Sequence, residues 1–167
     1  MFSHCLSQGR GLAPVLVERA NRVILSWDIR QKSRFHAVDE KGIELAVSLP
    51  RGQVIRGGDV LVGQSNELLR VIAANQSLLK ITPCIQHGNH FDLMRAAYHL
   101  GNRHVSLELR PDVILIETDS VLKDMLQRMH LDVEEIDAPF EPESGAYNSV
   151  SHSEHHHGHH HHPHGHG

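Results

Sequence analysis

Apolar and polar positions change rhythm along this chain. From about Leu12 to Ala74 the apolar residues fall in short runs, at 15–17, 23–27, 35–38, 43–49, 60–62 and 68–73, and none has a helical period. Ile43, Leu45, Val47 and Leu49 alternate with Glu44, Ala46 and Ser48, as in a strand with one buried face. Asp39-Glu40-Lys41-Gly42 reads as a hairpin connection with Gly42 in the left-handed position. Arg51-Gly52 and Arg56-Gly57-Gly58-Asp59 read as turns, since two glycines are too few to cradle a phosphate. Residues 1–75 therefore predict a small all-β domain.

After Asn75-Gln76 the pattern becomes mixed. Residues 78–85 read as a strand whose Pro83 belongs at an edge or a strand end. Over 89–100, Phe91, Leu93, Met94, Ala97, Tyr98 and Leu100 share one broad helical arc, opposite Asp92, Arg95, Ala96 and His99. Asn89 is placed to cap this helix and Gly101 to end it in the left-handed conformation. Strands at 105–109 and 113–117 follow, then a helix capped by Thr118 or Asp119, and a last strand at 131–136. The order βαββαβ predicts a ferredoxin-like domain over 76–139, with two helices on one sheet face and the other face or an edge open to a partner. The chain as a whole is thus expected to be α+β. Residues 140–167 are poor in apolar residues and predict a flexible, disordered tail rich in histidine.

The composition narrows the classes of function. Sixteen Lys and Arg against twenty Asp and Glu give a net charge of −4, and only 4% of residues are aromatic, so neither nucleic acid nor an anionic membrane finds a matching surface. Cys5 and Cys84 belong to no Cys-x-x-Cys pair, which fits a reducing compartment. With no signal-like N-terminus and no apolar run of membrane-spanning length, a soluble cytoplasmic protein is expected.

Seventeen histidines are the anomaly, and ten of them are His152, His155, His156, His157, His159, His160, His161, His162, His164 and His166. Imidazole is a borderline-soft donor suited to nickel, zinc and copper, and with a pKa near about 6.5 it is mostly neutral and free to bind at pH 7. Irregular spacing argues against an appended affinity tag. Interrupted by glycines and a proline, such a tract must lose much chain entropy on binding, so it suits moderate storage of several ions rather than catalysis.

His104 is a candidate of another kind. Strand parity with Val105, Leu107 and Leu109 places it on the polar side, exposed. A single imidazole cannot hold a transition metal, but two brought together by a two-fold dimer axis would leave open positions from which the ion can depart. His87 and His90 are weaker candidates, His99 reads as a hydrogen-bonding neighbour of Asp92 and Arg95, and His36 and His130 as structural or solvated.

The segment Tyr98-His99-Leu100-Gly101-Asn102-Arg103-His104 resembles the signature of the urease accessory protein UreE family. The likeness extends to Asp28-Ile29-Arg30-Gln31-Lys32-Ser33-Arg34, Leu49-Pro50-Arg51-Gly52, Arg56-Gly57-Gly58-Asp59-Val60-Leu61, Val71-Ile72-Ala73-Ala74, Asp119-Ser120-Val121-Leu122-Lys123-Asp124-Met125-Leu126 and Phe140-Glu141-Pro142-Glu143-Ser144-Gly145-Ala146-Tyr147. The resemblance implies a nickel metallochaperone of urease maturation: a peptide-binding β domain, a ferredoxin-like metal-binding domain, a homodimer and a histidine-rich tail. It places the interfacial metal histidine on His104. It also implies that Ni(II) passes to apo-urease through an accessory complex that includes a GTPase, while the donors alone would equally admit Zn(II) or Cu(II). Some members carry a second histidine pair before the second helix, where this chain has Thr118, Asp119 and Ser120, so further ligands must come from the tail or weakly from Asp119.

Three functions compete on these residues. A carrier is favoured over an enzyme, because no nucleophile motif or His-Glu-x-x-His is present and strand geometry sets Glu108 about 13 Å from His104. General metal storage, or a folding helper with metal secondary, is the alternative.

Overall fold

Residues 1–144 are described by a computed structural model. The first part contains β1 (Phe2–Leu6), a short 3-10 turn (Ser7–Gly9), α1 (Pro14–Arg19), β2 (Asn21–Leu25), α2 (Trp27–Arg30), β3 (Arg34–Val38), β4 (Glu44–Ser48), β5 (Val60–Gly63) and β6 (Leu68–Ala73). Six strands form one sheet in the order β2-β6-β5-β1-β4-β3, with β1/β4 and β2/β6 parallel. Alternate residues of these strands, among them Val23, Leu25, Leu45, Val47, Leu69 and Val71, meet in one apolar core. The β3–β4 hairpin turns at Gly42, which has φ +79°, while Asp39 Oδ1 accepts the N–H groups of Lys41 and Ile43, both at 2.9 Å.

Two runs read as strand are not strand. Residues 15–17 lie in α1, where Pro14 occupies the first turn and needs no N–H partner, and Val15 and Leu16 stay exposed. Trp27 does not end β2 but opens α2 after Ser26. The first part is therefore not purely β, and β1 itself was not evident from the sequence.

The second part contains β7 (Asn75–Pro83), α3 (His90–Gly101), β8 (Glu108–Arg110), β9 (Val113–Glu117), α4 (Ser120–Gln127) and β10 (Leu131–Pro139). Its four strands pair antiparallel in the order β10-β7-β9-β8. Pro83 closes β7, the place where its missing N–H costs least. One sheet face, with Leu79, Ile81, Ile114, Ile116 and Leu131, receives Leu93, Ala96 and Leu100 of α3 and Leu126 of α4.

The opposite face, one of the two places expected to be open to a partner, the other being an edge, is covered. Leu78 and Leu115 pack there against Trp27 of the first part and Phe140. Phe140 is 0% exposed, so 140–144, expected to start the mobile tail, is instead fixed between the two parts. The remaining tail and all ten of its candidate histidines lie outside the described residues.

Candidate metal centre

The N-terminus of α3 is held by a capping pair: Asn89 Oδ1 accepts from Phe91 N–H at 2.8 Å, and Asp92 Oδ2 accepts from Asn89 N–H at 3.0 Å. That contact buries Asp92, which the helical wheel had put on the wet side, and Ala96, also placed there, is 0% exposed. The arc facing the sheet is thus rotated from the one the apolar residues suggested. Phe91, Met94 and Tyr98, at positions i, i+3 and i+7, are left 61%, 62% and 67% exposed as an apolar stripe.

The C-terminus of α3 fixes His104. Gly101 remains helical, and His104 takes the left-handed conformation at φ +56°. His104 N–H donates to Gly101 O at 2.9 Å and Val105 N–H to Leu100 O at 3.2 Å, the paired bonds of a Schellman stop. Leu100 and Val105 join the same apolar cluster, which sets where the stop occurs. The expected strand at 105–109 shrinks to β8, so this stop, rather than strand parity, leaves the His104 side chain exposed.

The other candidate histidines do not gather around it. His90 Nδ1 lies 3.3 Å from Asp112 Oδ1, His87 is exposed, and His99 stacks edge-on against Tyr98 at 5.4 Å rather than engaging Asp92 or Arg95. His36 and His130 are exposed, on β3 and before β10. Glu108 is occupied by Arg110 and by the N–H of Glu141. Asp119 Oδ1 caps α4 through Leu122 N–H at 2.8 Å, and Thr118 bonds Ser77, so Thr118 and Asp119 are engaged in structural bonds. Among the described residues no group of three or more His, Cys, Asp or Glu could hold a metal ion.

Burial, helped by the negative charge of Asp59, pushes the Cys5 thiol from 9.0 up to about 12, which keeps it protonated and a poor ligand near neutrality. The end of α3 thus presents the exposed imidazole of His104, and the helix that leads to it presents an exposed apolar stripe; a lone imidazole does not by itself hold a transition metal. No helix among the described residues is long and apolar enough to cross a membrane.

A cluster that sequence reasoning missed lies at the junction of the two parts. Arg30, 0% exposed, pairs with Glu141, and no local pattern signals a contact across 111 positions.

The N-terminal domain profile of the UreE urease accessory protein matches residues 2–74, and its C-terminal domain profile matches 76–166. The urease accessory protein UreE of Paracidovorax citrulli is 63% identical over 147 residues, covering 88% of this chain and 70% of that protein. Its counterpart in Albidiferax ferrireducens is 57% identical over 155 residues, covering 93% and 89%. Both profiles together span nearly all of the sequence, and relatives at this identity cover most of it, so the chain belongs to the UreE family of urease accessory proteins, which are not enzymes.

Proposed function

We propose that this protein is a cytoplasmic nickel metallochaperone that binds Ni(II) and delivers it to apo-urease through the accessory complex and its GTPase. His104 of each subunit in a homodimer would hold one ion between them, and the histidines from His152 to His166 would gather further ions. The observation that carries this reading is the pairing of an exposed His104 with the stripe Phe91, Met94 and Tyr98 on the helix that ends in it. An apolar stripe of this kind favours burial, and a two-fold contact through it would bring two imidazoles together.

The division at 75/76 gives each part a task. The ferredoxin-like second part carries the metal ligand and the dimer contact, and the β-rich first part receives a protein partner. Nickel is preferred over zinc and copper because the family serves urease; the imidazole donors do not discriminate among the three.

Calorimetric titration with Ni(II) tests the reading on the full chain, on His104→Ala and on a chain ending at Ser144. The expected result is one tight ion per two chains, lost in His104→Ala and kept on truncation, with the weaker ions lost only on truncation. A tight site that survives His104→Ala, or one ion per single chain, overturns it.

A further inference from the structure

Segment 140–144 grips both parts of the chain at once. Toward the first part, Glu141 Oε1 lies 2.7 Å from Arg30 Nη1 and 2.8 Å from Gly57 N, and its Oε2 lies 3.2 Å from Arg56 Nη1. Arg56 also donates to Pro142 O at 2.6 Å and to Ser144 Oγ at 2.9 Å. The Trp27 ring sits with the Arg30 and Arg56 guanidiniums 5.2 Å and 5.1 Å from its centroid, and Phe140 meets it edge-on at 6.1 Å. A guanidinium as buried as that of Arg30 is costly to leave without its carboxylate, so the grip is not a loose surface contact.

Toward the second part, the same segment donates two backbone bonds. Glu141 N–H reaches Glu108 Oε2 and Glu143 N–H reaches Leu107 O, both at 2.7 Å. Residues 105–107 belong to no strand, and they are all that separates His104 from β8. The bond from Glu143 therefore ties down a link that the sheet does not hold.

Building on the assignment of His104 as a ligand, we propose that Glu141 is a positioning residue for the metal site: the strap 140–144 anchors the 104–108 link to Arg30 and Arg56 and so steadies the backbone stop that carries His104 before an ion arrives. Glu141 touches no ion in this scheme. Its effect is on order, since a frayed link must lose conformational entropy when the metal binds and the affinity falls accordingly.

The test uses the full chain with Glu141→Gln, which keeps the shape and removes the charge, and with Glu143→Pro, which removes the N–H given to Leu107 together with an exposed side chain and fixes φ at that position. In both, hydrogen exchange of the 104–108 amides is expected to rise about tenfold while α3 amides near Leu93 and Ala96 stay protected. The tight Ni(II) site is expected to weaken by about tenfold, with the weaker sites unchanged. Emission of Trp27, the single tryptophan, shifts in Glu141→Gln but not in Glu143→Pro, which separates loss of positioning from loss of packing. Native exchange at 104–108 together with native tight affinity in both variants overturns the proposal. If His104→Ala leaves the tight site intact, it is the assignment of His104 that fails, and the exchange data still judge the strap.

Discussion

The left-handed conformation of His104 is one that few residues other than glycine adopt. At φ +56° its Cβ crowds the backbone, a position that glycine fills without penalty. The stop needs one left-handed residue between Leu100 and Val105, and the apolar pair sets its place. The bonds of the stop are backbone to backbone and use no imidazole. His104→Gly and His104→Ala should therefore lose metal binding equally, yet the glycine variant should be more stable by about 1 kcal/mol in urea unfolding, because alanine keeps the strained Cβ. Equal stability of the two variants would mean that the helix end rearranges and that the stop described here is not maintained. The sequence held the signal for this stop in the Leu100/Val105 pair, but Gly101 drew attention first because it is the usual residue for the role.

Among the elements, α3 shows both the reach and the limit of periodicity. The spacing of apolar residues located the helix and its Asn89 cap to within a residue, since both depend on neighbours in sequence. Which half of a wide apolar arc meets the sheet depends on residues far along the chain, and the buried Asp92 and Ala96 could not be read locally. In the same way, 15–17 has too few residues to carry a period, and Pro14 was the better guide to α1. The unburied half of the α3 arc makes its own prediction. Met94→Glu or Tyr98→Glu puts a charge into the stripe without touching the core, so each should fold normally, sediment as a monomer and lose the tight shared ion. A dimer that survives both substitutions would place the two-fold contact elsewhere.

At the scale of the whole molecule, the two sheets are joined by more than the short link between β6 and β7. Trp27, Leu78, Leu115 and Phe140 form an apolar cluster shared by both parts, and Arg30 and Arg56 close over it on Glu141. Composition gave no hint of this, because 140–144 has the Pro, Glu and Ser of a linker and its partners in the first part lie more than 80 positions away. The consequence is sharp at one boundary. A chain ending at Ser144 keeps every one of these contacts and should unfold in a single transition at the urea midpoint of the full chain. A chain ending at Ala138 strips Phe140 from the Trp27 ring and leaves the Arg30 guanidinium buried beside no carboxylate, a loss on the order of 3 kcal/mol. Its two sheets, each with its own core, should then unfold in separate steps, with Trp27 emission reporting the first part and helical circular dichroism, dominated by α3 and α4, the second. Coincident transitions at an unchanged midpoint in the shorter chain would show that the link between β6 and β7 suffices to couple the sheets, and that the strap holds only the segment beside His104.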